Sequence, residues 1–232
     1  MVVEILFQEV CGLYGDSQNA TYLQATLPDA DFVFTKLTDI PYFVDNTPDL
    51  VYIGCMSEST QRTVIKKLLP LKERLTQLIE SGTVILATGN AGEVFAKEIN
   101  YVTENIRTNA LGIFDLTVNT DLFRRYNGAV LGKLDDLKII GFRSQFSFLD
   151  GNNADCAFLE CEYGIGINPK SKLEGMRKNN LICTQLLGPL LPLNPLFCEY
   201  LLRLCSENSP AAYRDAAIAA YEQRLQEFEN AK

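Results

Sequence analysis

Thr83-Val84-Ile85-Leu86-Ala87-Thr88-Gly89-Asn90-Ala91-Gly92 decides the fold. Five consecutive apolar or β-branched residues make a strand buried on both faces, and the small residues that follow turn it sharply into what reads as another helix. Working outward, Gln61 to Glu80 spaces Val64, Leu68, Leu71, Leu75 and Leu78 helically, with Pro70 set to kink or split the helix and Gly82 to close it. Further upstream, Val2 to Phe7, Phe32 to Phe34 and Leu50 to Ile53 read as strands, and Ser17 to Leu27 as a helix. Strands alternating with helices specify a three-layer α/β fold, a mostly parallel sheet flanked by helices.

Downstream of residue 105 the pattern changes to short β-like runs at Gly112 to Val118, Gly128 to Leu131, Lys138 to Phe142, Ala157 to Glu162 and Leu181 to Thr184, which predicts an antiparallel extension. Two helices close the chain, at Asn194 to Cys205 and Ala211 to Asn230, the second presenting Tyr213, Ala217, Tyr221, Leu225 and Phe228 to its own sheet. No repeat or linker divides residues 1–232, so one domain is expected.

Composition excludes more than it assigns. The 232 residues are 47% apolar, enough for a core without disulfides or a structural metal. A net charge of −8 offers no broad positive field to nucleic acid or anionic lipid. There is no histidine, which removes Ser–His and Cys–His catalysis, histidine metal ligands and a histidine pH switch. Seven cysteines without a C-x-x-C pair suit free thiols in a cytoplasmic protein, and the Cys156/Cys161 pair lacks the partners a zinc site needs. Asp150, Asp155, Glu160 and Glu162 cluster in sequence, but the alternation of Glu160 and Glu162 reads as the solvent side of a strand; no metal or cofactor is expected. No apolar stretch is long enough to span a membrane, the run near 186–204 being broken by Pro189, Pro192 and Pro195.

Three loops, Gly12 to Ser17, Gly54 to Gln61 and Ala87 to Gly92, fall where open α/β sheets bind ligands, at the carboxyl ends of strands. Thr88 would be the elbow residue, or simply the cap of a helix, and Asp16 or Ser17 would cap the helix after them.

Four segments resemble the class I glutamine amidotransferases of the cobyric acid synthase type, and among them the glutaminase subunit of lipid II isoglutaminyl synthase. Leu13-Tyr14-Gly15-Asp16-Ser17-Gln18-Asn19 is similar to that family's L-Y-G-D-x-G-N opening, and Ile79-Glu80-Ser81-Gly82 leading to Leu86-Ala87-Thr88-Gly89 to its helix, strand and C-G-G-Y-Q turn. Gly141-Phe142-Arg143-Ser144-Gln145 and Gly151-Asn152-Asn153 resemble its G-F-E-N-H and G-N-N, and Thr184 to Pro195 (TQLLGPLLPLNP) its T-Y-L-H-G-P-L-L-P-K-N-P. The resemblance implies a flavodoxin-like fold, a glutamine pocket around Gly54, Cys55, Gly89 and Asn90, and a Mur-ligase-like or other ATP-dependent synthetase as partner. In the family an elbow Cys attacks the amide of glutamine and a His serves as base; the matching positions are Thr88 and Leu187. The resemblance therefore implies a non-hydrolysing or regulatory subunit. An amidase using Cys55 or Thr88 with a lysine base, and a binding module reusing the old pocket, are the alternatives.

Overall fold

A computed structural model of the chain, describing residues 1–230, shows strands and helices in the order β1 (Val2–Leu6), α1 (Gln18–Thr26), β2 (Asp31–Thr35), β3 (Leu50–Ile53), α2 (Glu58–Leu68), α3 (Lys72–Ser81) and β4 (Val84–Thr88). After these come β5 (Glu98–Tyr101), β6 (Ile106–Asn109), β7 (Thr117–Thr120), β8 (Tyr126–Leu134), β9 (Leu137–Gln145), β10 (Ser147–Asp150), β11 (Leu159–Tyr163), β12 (Leu173–Glu174), β13 (Met176–Lys178) and β14 (Leu181–Thr184). Helices α4 (Leu190–Leu193), α5 (Pro195–Leu204) and α6 (Arg214–Asn230) follow.

The central sheet runs β13-β14-β4-β3-β1-β2, parallel throughout except for β13. Alternation of side chains assigns its two faces to two cores. Leu50, Tyr52, Val84 and Leu86 point to the face covered by Ala20 and Leu23 of α1 and by Phe197, Leu201 and Leu202 of α5. Val51, Ile53, Ile85 and Ala87 point to the opposite face, under Val64 and Ile65 of α2 and Leu75, Leu78 and Ile79 of α3. Pro70 does divide the long amphipathic stretch, through a single 3-10 turn at Leu69–Leu71. Gly82 ends α3 in a left-handed conformation (φ +89°), its N–H directed to the carbonyls of Leu78 and Ile79.

Two further four-stranded sheets form the extension: β10-β7-β5-β6, mixed, and β12-β11-β8-β9, antiparallel. Helix α6 lies on the latter through Tyr221, Leu225 and Phe228 against Leu131 and Ile140, as the spacing predicts, but it begins at Arg214 and leaves Tyr213 exposed outside the stripe.

Several local expectations need correction. No α-helix follows the β4 turn; Gly89–Phe95 is a 3-10 segment that runs into β5. All but one of its residues are buried, so it has no solvent face for an amphipathic helix to present, and a Cβ at Gly92 would lie 3.1 Å from Cys183 Cβ. The run from Gly112 is not strand until Thr117, because Leu111, Gly112 and Ile113 bond back to Val94, Ala96 and Phe95. Neither Asp16 nor Ser17 gives α1 a side-chain cap.

Candidate functional site

The loops after β1, β3, β4 and β14 meet at the carboxyl edge of the central sheet, and between them lies a cleft of about 80 Å³. The sharpest turn is the one after β4. Thr88 is extended (φ −109°, ψ 150°), whereas Gly89 takes φ +60°, a left-handed value that glycine adopts without a steric penalty. The turn tip, where an elbow presents its attacking side chain, is thus Gly89 and not Thr88.

Thr88 faces inward. It is fully buried, its hydroxyl donates to Asp16 Oδ2, and Tyr52 Oη lies 3.0 Å away. Asp16 Oδ2 also accepts the Cys55 N–H at 2.7 Å, and its Oδ1 accepts from Asn19 Nδ2 at 2.7 Å. Burial pushes the Asp16 carboxyl up, against the opposing pull of these hydrogen bonds. Asp16 is therefore the pin that joins three loops, which is why it does not cap α1; Thr88 likewise makes no cap. Gly54 is confined by the same cluster, since a Cβ there would lie 2.6 Å from the Cys11 carbonyl oxygen and 3.1 Å from Asp16 Oδ2.

The space a side chain at Gly89 would need is already taken. A Cβ built on it would stand 2.7 Å from Cys55 Cβ, 2.8 Å from Cys55 Sγ and 3.0 Å from Leu187 Cδ2. Leu187 is held in place by a two-way backbone bridge to Phe142, with N–H to O distances of 2.9 and 2.8 Å. Cys55 is 4% exposed, and burial first and the Asp16 charge second push its thiol up to about 12, so it is protonated at neutral pH. No lysine or arginine among the described residues lines the cleft, though Arg125 stands behind it, donating to Ser144 Oγ at 2.6 Å and to Tyr14 Oη at 3.3 Å.

Asn90 spends its amide on the protein. Its Oδ1 accepts the Met56 N–H at 2.9 Å and its Nδ2 donates to the Met56 carbonyl at 2.8 Å, which locks the β3 loop against the turn. With Cys55 N–H bound to Asp16 and Met56 N–H bound to Asn90, that loop has no free donor at either position for an oxyanion.

Sequence reasoning missed the cleft's back wall. Glu93, 1% exposed, accepts from Ser147 Oγ and from Gln185 Nε2 (3.0 Å) on Oε1 and from Gln61 Nε2 (2.8 Å) on Oε2, and burial raises its pKa. Arg143, fully buried, donates to Gln185 Oε1 and to the carbonyls of Ile165 and Gly166. Arg143 and Gln185 lie in segments that the resemblance singles out without a role for either, and for Glu93 the signal was its charge inside an apolar segment. The acidic residues 150, 155, 160 and 162 form no group able to hold a metal, and Glu160 is exposed on β11; no such group occurs among the described residues. Nor is any helix among them long and apolar enough to cross a membrane.

No family model matches the chain. Over 172 residues it is 28% identical to the GatD subunit of lipid II isoglutaminyl synthase (glutamine-hydrolyzing) from Staphylococcus aureus (strain N315), covering 73% of this chain and 69% of that protein. Its fold is similar to a crystal structure of a glutamine amidotransferase, with a TM-score of 0.57 and 13% identity over 89% of this chain and 100% of the other. A glutamine amidotransferase from Thermotoga maritima overlays with a TM-score of 0.49 and 11% identity over 98% of this chain and 84% of that one. The chain is glutamine-amidotransferase-like in fold, and its sequence similarity is to a subunit of that class.

Proposed function

We propose that this chain is a glutamine-amidotransferase-like subunit that does not hydrolyse glutamine and serves as a non-catalytic or regulatory member of a synthetase complex. The observation that carries this reading is the filled space at Gly89, where Cys55 and Leu187 stand in the volume an attacking side chain would need. Leu187, at the position the sequence resemblance gives to the base, cannot move a proton. Removing the nucleophile or base of a comparable triad costs on the order of 10⁶-fold in rate.

The substituted-mechanism alternative finds little support. Thr88 is buried away from the cleft with its proton committed to Asp16, and Cys55 is a neutral thiol with no lysine or arginine beside it in the cleft. A binding module reusing the old pocket is also disfavoured, because about 80 Å³ falls well short of the roughly 300–1,000 Å³ of typical ligand sites.

A complex is proposed because the S. aureus relative is by name a subunit of a synthase. By that likeness the partner here is an ATP-dependent synthetase of the Mur-ligase type, met in the cytoplasm.

The test has two parts. Purified protein incubated with glutamine should release no ammonia above background, with or without prior thiol alkylation; turnover abolished by alkylation would overturn the loss of hydrolysis. Isolation from the native host should recover an ATP-binding synthetase in stoichiometric complex, and a protein recovered alone as a monomer would overturn the subunit role.

A further inference from the structure

A second concavity, a trough of about 430 Å³, opens beside the mixed sheet. Its size lies within the roughly 300–1,000 Å³ of sites that enclose small ligands. Phe146, Phe148, Val102 and Pro169 give it apolar walls, with Phe148 braced against Tyr126 at a ring separation of 6.0 Å.

Most of its polar groups are engaged within the protein. Asp121 Oδ1 accepts from the Thr103 hydroxyl (3.2 Å) and the Phe123 N–H (3.1 Å), while its Oδ2 faces Arg124 Nε at 3.5 Å. Asn119 accepts from Asn100 at 3.0 Å and donates to Asp150 Oδ2 at 2.8 Å. Asn168 donates to the Leu149 carbonyl and accepts the Lys170 N–H.

Two cations remain available. The Arg124 side chain is 86% exposed and holds only the long contact to Asp121, and Lys170 is exposed with no side-chain partner among the described residues. A third cation, the guanidinium of Arg125, lies 5.5 Å from the Phe146 ring and is engaged with Ser144 and Tyr14. Among the charged residues lining the trough, Arg124 and Lys170 balance Asp121 and Asp150, but both carboxylates accept hydrogen bonds from the protein, which leaves the two cations as the charged groups most open to an incoming ligand.

We propose that this trough binds a small amphipathic carboxylate, its apolar body against Phe146 and Phe148 and its anionic end between Arg124 and Lys170. Phe146 also lines the cleft at Gly89, so an occupant lies next to that site. The inference is independent of the absence of glutamine hydrolysis.

Calorimetric titration of the full-length protein with hydrocinnamate, and separately with phenethylamine, tests it. The two probes share an aromatic body and differ in the sign of the head group. Saturable binding of the acid at millimolar concentration, without binding of the amine, is expected. Arg124→Gln and Lys170→Gln, both on exposed side chains that the fold does not need, should each weaken the acid by about fivefold. Phe148→Ala should abolish binding, with circular dichroism reporting its folding. No saturable binding of the acid, equal or tighter binding of the amine through Asp150, or an affinity unchanged in both charge variants would each overturn the proposal.

Discussion

Gly89 lacks a side chain, and the room one would fill belongs to Cys55 and Leu187. Gly89→Cys combines an unfavourable positive φ with close contacts to both neighbours, and should cost about 1–3 kcal/mol of stability by urea unfolding. Adding Cys55→Gly should recover part of that loss, because it removes the contacts at 2.7 and 2.8 Å while leaving the one to Leu187. Cys55 itself should resist iodoacetamide at mildly alkaline pH until the protein is unfolded, whereas the partly exposed Cys156 should be modified earlier; site-resolved mass spectrometry checks the order. A Thr-Gly pair at the end of a strand shows that a turn is coming, but not which residue carries its left-handed φ, so the sequence reading placed the elbow one residue early. Asp16 was misread for a related reason. An aspartate before a helix is ordinarily a cap, and only the folded chain brings Cys55, Thr88 and Asn19 within its reach.

The inner strands of the central sheet were legible because they are buried on both faces and rich in Val, Ile, Leu and Ala, as in β3 and β4, whereas the edge strand β13, Met176-Arg177-Lys178, carried no such signal. Strands β5, β6 and β10 were not. Each has four residues, with polar side chains such as Asn100, Arg107 and Asp150 outside the core, so neither length nor alternation separates them from loop. The end of α3 was legible in Gly82, whose carbonyl accepts from Asn180 Nδ2 at 2.7 Å. Gly82→Ala forces a Cβ into φ +89° and should lower the unfolding free energy by about 1 kcal/mol, read as a reduced urea midpoint with an unchanged slope.

Across the whole molecule, Glu4, Asp16, Glu93 and Glu174 are buried carboxyls whose pKa values burial raises, and Arg143 is the fully buried cation near Glu174. The folded state therefore holds protons more tightly than the unfolded chain, whose carboxyls titrate near 3.8 for Asp and 4.5 for Glu. Their contribution is complete below those values and is lost as pH rises through the higher folded-state values, so unfolding free energy should be greater at pH about 5 than at pH about 8. Urea titrations at the two values measure it, and a profile that rises toward alkaline pH would contradict these assignments. The packing around Gly89 also bears on how this position can change. One nucleotide separates many glycine codons from those of cysteine, yet taking that step alone meets an obstacle built from two distant segments, the loop after β3 and the loop after β14. A cysteine at position 89 therefore needs accommodating changes in both segments, and Leu187 would still offer no group to accept a proton.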